Sequence, residues 1–217
     1  MHSHTHTHES APQTEGRLIR WASLYDAFTN IMTLGQASRL RSRTIEHALL
    51  KPGESILDVG CGTGAVTIPA KKRVGIDGKA VGIDPSPEMI AVARKKASRA
   101  NLDIDFRVGV IESLPFPDYS FDAVTSSLMM HHLPRDLQAR GLAEVYRVLK
   151  PGGRVLIADL MRPTRSFLNH FFIVASMHRG LKYGIEDLIG TMNAIGFKQI
   201  EQPDDSFAVV GFVRATK

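Results

Sequence analysis

A chain of 217 residues has room for one domain with a substantial core, and 43% hydrophobic with 23% charged residues is an ordinary composition for a soluble globular protein. The net charge of +5 is not gathered into a long basic run, so no nucleic-acid partner is expected. A single cysteine excludes a disulfide framework, and no apolar stretch approaches the ~20 residues of a membrane span; without a signal peptide, a cytoplasmic address is expected.

The first residues, Met1 to His8, alternate histidine with small polar residues and cannot build a core. Residues 1–16 read as a disordered tail with no catalytic role. From Leu18 the pattern turns helical, with Leu18, Trp21, Ala22, Leu24, Tyr25 and Phe28 on one broad face, and Asn30 can close that helix. A second helix is expected from about Thr33 to Leu50, ending before Lys51-Pro52-Gly53. Together, residues 17–50 form a helical cap ahead of the main fold, residues 51–217. The cap either shields a sheet edge or covers a ligand.

Ser55 to Val59 is the first strand, and glycines follow at 60, 62 and 64 before a helix from Ala65 to about Arg73. A strand that ends in a Gly-rich turn and opens a helix is a nucleotide-binding corner, because glycine turns with positive φ and lets a ligand come close. Lys79 to Ile83 is a short buried strand ended by Asp84, and Ser86-Pro87 supply the cap and first turn of a helix to about Ala100. An acid at the end of this strand can accept hydrogen bonds from both hydroxyls of a ribose. The triplets Lys71-Lys72-Arg73 and Arg94-Lys95-Lys96 are helix-borne and read as solvated faces, with nucleic acid or anionic lipid as the other reading.

Asp103 to Val108 reads as the third strand and Ser120 to Ser127 as the fourth. The loop beyond Ser127 carries Met129, Met130, His131 and His132 at the sheet edge where ligands collect in open α/β folds. Adjacent histidines rarely ligate one ion together, so no metal is expected; one of the pair is a candidate for orienting a substrate or accepting its proton. Arg135 to Leu149 is a helix stopped by Pro151-Gly152-Gly153, and Arg154 to Asp159 is the fifth strand. An apolar helix, 166–177, is either simply buried or lines a pocket for an apolar acceptor. A helix over 184–195 with Gly196 as its C-cap, then strands over Lys198–Gln202 and Phe207–Ala215, complete the chain.

Two ligands compete for the Gly-rich corner. Gly60-Cys-Gly-Thr-Gly-Ala65 also satisfies the dinucleotide pattern. Asp58, two residues before the first glycine, separates them: it would repel a pyrophosphate and attract the ammonium and sulfonium of S-adenosylmethionine (SAM). At ~4 Å and an effective dielectric near 20 that sign is worth about 4 kcal/mol. The corner is read as a SAM site, with Asp58 and the Gly60, Gly62 and Gly64 backbone at the methionine end and Asp84 at the ribose.

The stretch Ile56-Leu-Asp-Val-Gly-Cys-Gly-Thr-Gly64 resembles the first motif of class I SAM-dependent methyltransferases, and Val81-Gly-Ile-Asp-Pro-Ser-Pro-Glu-Met89 their second. Leu114 to Val124 and Glu144 to Gly153 resemble the later ones, in order, over residues 50 to 160. Tyr25 to Gly35 is similar to the entry segment of the branch that C-methylates menaquinone and ubiquinone precursors. The resemblance implies that Thr63 and Ser127 flank the methionine moiety and that residues 110 and 111 read the adenine. Here Val110 cannot accept the hydrogen bond an acidic or amide side chain would, so only the backbone of Val110 and Ile111 remains. It also implies a lid that places Tyr25 over the cofactor. Tyr25, Met130, His131 and Arg162 are the candidates for the acceptor side. One cysteine weighs against the arsenic-methylating members, which the resemblance implies need several thiols.

The expected fold is an α/β sandwich: a mostly parallel, Rossmann-like, seven-stranded sheet with helices on both faces, one antiparallel strand from the final hairpin, and the helical N-terminal cap. The expected function is a SAM-dependent methyltransferase acting on a small, rather apolar acceptor, with room for peripheral membrane contact. A phospholipid N-methyltransferase, a nonenzymatic SAM-binding regulator and an NAD-dependent oxidoreductase are the rivals.

Overall fold

Alternating apolar residues on the first strand, β1 (Ser55–Val59), send Ile56 to one face of a sheet and Leu57 and Val59 to the other, and all three are buried. Residues at i and i+2 share a face, so a strand apolar on both needs cover on both. The computed structural model of the protein describes residues 35–162, 184–205 and 209–217. The tail, the helix over 18–30 with Tyr25, and the apolar helix over 166–177 lie outside the described residues.

In chain order the remaining elements are α1 (Ala37–His47) ahead of β1, then α2 (Thr67–Val74), β2 (Lys79–Asp84), α3 (Pro87–Arg99), β3 (Asp105–Val108) and β4 (Phe121–Ser127). A 3₁₀ turn (Met130–His132) leads to α4 (Arg135–Val148) and β5 (Leu149–Leu160). A second 3₁₀ turn (Ile185–Asp187), α5 (Leu188–Ile195), β6 (Lys198–Glu201) and β7 (Val210–Thr216) follow. The seven strands form one sheet in the order β3-β2-β1-β4-β5-β7-β6. β1 to β5 run parallel, and β7 runs antiparallel to both its neighbours.

This order reverses direction between β1 and β4: the chain winds outward through β2 and β3, then returns to the other side of β1. A crevice opens where such winding reverses, at the carboxyl ends of the strands. The Gly-rich turn leaves β1 at that point, and Ser127 ends β4 beside it. One face of the sheet packs Ala70 and Val74 of α2 and Leu40 of α1 against Ile56, Leu156 and Phe212. The other packs Leu142, Val145 and Val148 of α4 and Leu188 and Met192 of α5 against Leu57, Val124, Ile157 and Val213. α3 seals the β3 end with Ile90, Ala93 and Ala97 on Phe106.

The helix over α3 starts as its sequence demands: the Ser86 hydroxyl accepts from the Met89 N–H at 3.2 Å, and Pro87 occupies the first turn. Gly196 ends α5 at φ +115°, where a side chain would be strained. Three readings change. β3 begins at Asp105, two residues later than expected. α4 passes straight into β5 at Leu149, with Pro151-Gly152-Gly153 inside the strand; Gly152 takes φ +74°, and the pairing with β4 shifts register between Phe121 and Ala123. Lys71 is not on a solvated face: it is 8% exposed, and its ammonium donates to the carbonyls of Gly75, Ile76 and Gly78 at 3.1, 3.4 and 2.6 Å. A lysine stem can cross the end of a helix when the turn beyond it offers unpaired carbonyls.

Candidate functional site

The turn after β1 is shaped by β2. The Gly60 and Cys61 N–H groups both donate to the Ile83 carbonyl, at 2.8 and 3.0 Å, which draws the turn across the end of that strand. Gly60, Gly62 and Gly64 take φ of +70°, +51° and +78°. At Gly60 glycine is required twice over, since an added Cβ would sit 2.3 Å from Cγ of Met129. Asp84 holds the second half of the corner. One of its oxygens accepts from the Gly62 N–H at 2.9 Å and the other from the Ser86 N–H at 2.9 Å, so one carboxylate fixes both the Gly-rich turn and the start of α3.

Asp58 lies deeper than the sequence suggested. It is 1% exposed and accepts from the hydroxyls of Thr67 at 2.6 Å and Thr125 at 2.9 Å. The carboxylate is already engaged by two neutral donors. Burial pushes its pKa up to about 6, the Thr67 and Thr125 hydroxyls oppose that rise, and the charge of Asp84 adds to it. Burial likewise raises Asp84, against the N–H groups of Ser86 and Gly62. The Cys61 thiol is pushed well above its ordinary range by burial and then by the two acids, so it stays protonated. The corner thus concentrates negative charge that its own hydrogen bonds only partly offset.

A small cavity of about 50 Å³ opens beside this turn. Asp58, Gly60, Gly62, Thr63 and Ser127 line it, and Ala37, Leu40 and Arg41 of α1 close it from above. The sequence-predicted residues Asp58, Gly60, Gly62, Thr63 and Ser127 are thereby brought to one place. Gly64 instead packs toward α3 and Phe106. Thr63 is buried, and its hydroxyl accepts from the Lys96 ammonium at 2.9 Å. Ile111 is 5% exposed and sends its side chain into the main core, while Val110 makes an isolated bridge with Ser113.

The acceptor candidates separate. Met130 is 1% exposed within the core, so it is Met129, its neighbour, that reaches the Gly-rich turn. Met129 precedes the 3₁₀ turn with non-helical backbone, so its side chain departs from the direction that the turn gives Met130. Arg162 is held outward by Asp187, at 2.6 Å, with its side chain 61% exposed. His131 is the candidate with a built environment: its Nδ1 lies 2.5 Å from Oδ1 of Asp159, and its backbone N–H donates to Oδ2 of the same residue at 3.2 Å. Sequence reasoning missed Asp159, Thr67, Thr125 and Met129. Only Asp159 carried a signal, as an acid closing an otherwise apolar strand.

Residues 56–153 match the family described as a methyltransferase domain. The chain is 36% identical over 155 residues to a demethylmenaquinone methyltransferase of Symbiobacterium thermophilum, covering 70% of this chain and 61% of that protein. It is 34% identical over 158 residues to an arsenite methyltransferase of Halobacterium salinarum, covering 71% of this chain and 40% of that protein. A solved SAM-dependent methyltransferase from Aquifex aeolicus shares the fold with a TM-score of 0.68 at 23% identity, over 87% of this chain and 97% of that one. This chain thus spans about three fifths of the first of these curated relatives and less of the second. A sheet wound this way, with a Gly-rich turn held by an acid on β2, thus carries a stretch, residues 56–153, that matches a methyltransferase domain, and over that stretch and its flanks the chain is similar to the demethylmenaquinone methyltransferases.

Proposed function

We propose that the protein transfers the methyl group of SAM to a small, apolar acceptor resembling a quinone precursor. The observation that carries the reading is the convergence of Asp58 and Asp84 on one Gly-rich turn within a methyltransferase domain. The charge of Asp84 adds to the cost of ionising buried Asp58, and a ligand with an ammonium and a sulfonium relieves it. A pyrophosphate would add to the same repulsion. The small cavity suits one end of such a ligand, the methionine end, with the ribose beyond it toward Asp84.

In this reading Asp58 and the Gly60–Gly64 backbone set the methionine end, flanked by Thr63 and Ser127. Asp84 accepts from the ribose hydroxyls while its present donors hold it in place. The backbone of Val110 and Ile111 reads the adenine without help from a polar side chain. Residues 17–50, with Tyr25, cap the cofactor, and His131 and Arg162 lie on the acceptor side. SAM supplies a methyl group on a sulfonium leaving group, so the protein's work is to align the acceptor and exclude water. Among the described residues no helix is long and apolar enough to cross a membrane. A cytoplasmic enzyme that meets an apolar acceptor at a membrane surface fits the proposal.

Arsenite methylation is not favoured, although one relative carries that name. Thiolates bind arsenic, and the one cysteine of this chain is buried with its thiol held protonated. Mass spectrometry of a cell extract incubated with the protein and methyl-labelled SAM tests the reading. A labelled quinone-precursor ring is the expected product. SAM binding without any labelled compound would overturn the enzymatic reading in favour of a binding module.

A further inference from the structure

His131 and Asp159 form a pair that the handling of SAM does not use. Asp159, next to the last residue of β5, is 2% exposed and accepts three hydrogen bonds: from the His131 ring at 2.5 Å, from the His131 N–H at 3.2 Å and from the Leu160 N–H at 2.7 Å. A carboxylate so held only accepts, so the proton between the pair sits on Nδ1 of the imidazole. That choice leaves the lone pair on Nε2. Among the described residues Nε2 has no hydrogen-bond partner, and the His131 side chain keeps 16% exposure.

The position of the pair matters as much as its chemistry. Ser127, which lines the cavity at the Gly-rich turn, pairs in register with Ala158, the residue before Asp159. The Leu128 N–H donates to the Ala158 carbonyl at 2.8 Å. From there Met129 reaches back to Gly60, and His131 reaches across to Asp159. The pair thus stands one strand away from the methyl donor's corner, on the same carboxyl edge of the sheet. The His132 ring lies 4.0 Å from the His131 ring, and the acids of the turn packed on β5 are engaged elsewhere, Asp187 by Arg162 and Arg135 and Glu186 by the Arg162 N–H.

We infer that His131, oriented by Asp159, is the general base of the reaction, taking the proton that the acceptor loses as it is methylated. The inference rests on the methyl transfer to a quinone-precursor-like ring proposed above and names the residue that handles the acceptor's proton. Nε2 takes the proton of the acceptor hydroxyl, and the electron pair of that O–H bond flows into the ring. The ring carbon, or the oxygen itself, forms the new bond to the methyl carbon as the carbon–sulfur bond breaks and sulfur keeps that pair. For the carbon case the ring then gives up its own C–H proton while the oxygen takes one back, restoring the hydroxyl. One proton in total passes through His131 to solvent, and the buried charge of Asp159 stabilises the imidazolium while it exists. An acceptor that already offers a lone pair, such as a tertiary amine, needs none of this.

Two measurements test it. In the ligand-free protein, nitrogen-15 NMR of the imidazoles is expected to show His131 with Nδ1 protonated and Nε2 bare, and Asp159→Asn to move the proton toward Nε2. A wild-type protein protonated on Nε2 alone would overturn the inference whatever its activity. The second is methyl transfer from labelled SAM to 1,4-dihydroxynaphthalene under anaerobic conditions. His131→Gln should lower kcat by about a hundredfold or more with SAM affinity unchanged. His131→Ala should regain activity with added imidazole, and Asp159→Asn should lose at least about tenfold in kcat with KM little changed. A His131→Gln enzyme within about twofold of wild type overturns the role. Wild-type protein that methylates dimethylethanolamine and not the dihydroxynaphthalene overturns it too, with methyl transfer itself intact. Failure of the wild type to bind SAM defeats the proposed function and this inference together.

Discussion

Asp58→Asn should make the ligand-free protein more stable at neutral pH while weakening its hold on SAM. Burial carries this carboxyl from 3.8 to about 6, which amounts to about 3 kcal/mol of cost for keeping it ionised in the fold. The folded-state value is the raised one, so the stability Asp58 contributes is complete below pH 4 and is lost as the pH climbs through 6. Between pH 4.5 and 7.5 the swing is about 2 kcal/mol. An amide does not titrate and can accept from only one of the two threonine hydroxyls through its oxygen, a loss of about 1 kcal/mol at any pH. The variant is therefore expected about equal to wild type at pH 4.5 and about 2 kcal/mol more stable at pH 7.5, read by urea denaturation. Ligand binding reports the same group from the other side. A cation beside Asp58 restores its low pKa, so SAM binding at pH 6 should release about half a proton from wild type and none from the variant. Calorimetry in two buffers of different ionisation heat measures that release. A wild-type-minus-variant stability difference that stays flat from pH 4.5 to 7.5 would refute the reasoning, as would a binding heat indifferent to buffer.

Gly60→Ala should cost at least about 2 kcal/mol, from a positive φ and contacts at 2.3 and 2.8 Å with Cγ and Cβ of Met129, and adding Met129→Ala should relieve the Cγ contact while leaving the Cβ contact and the φ penalty; thermal denaturation of both variants separates the parts. Asp84→Ala should weaken SAM binding at least about tenfold and speed hydrogen exchange at the Gly62 and Ser86 amides, whose acceptor it removes. Lys71→Met should destabilise by about 1–3 kcal/mol in denaturation, because three carbonyls lose their donor while the stem remains.

Much of the sheet was legible because each strand carries its own pattern. β1 alternates between two buried faces, and β2 stops at an acid. The cap of α3 is spelled by Ser86 and Pro87, and the end of α5 by Gly196. What escaped depended on partners far along the chain. Nothing near Asp58 says that Thr125, 67 residues later, will sit within 2.9 Å of it. Pro151-Gly152-Gly153 reads as a break because local propensity disfavours a strand there, whereas the pairing of Gly152 and Gly153 with the C-terminal Lys217 overrides that preference. Lys71 looked solvated because a charged triplet ordinarily is, and only the fold of residues 75–78 back over it supplies its carbonyls. The His131–Asp159 contact joins two strand ends that become neighbours only once β4 and β5 pair. The glycines, by contrast, announced the site, since their role is local backbone shape.

The span from Met129 to His131 has a consequence for how such an enzyme can change its trade. One short segment leans on the donor's corner with its first side chain and on the proton-handling pair with its third. On the inference above, substitutions at its far end act on the acceptor's proton and leave the glycine corner as it is. Substitutions at its near end disturb delivery for every molecule alike.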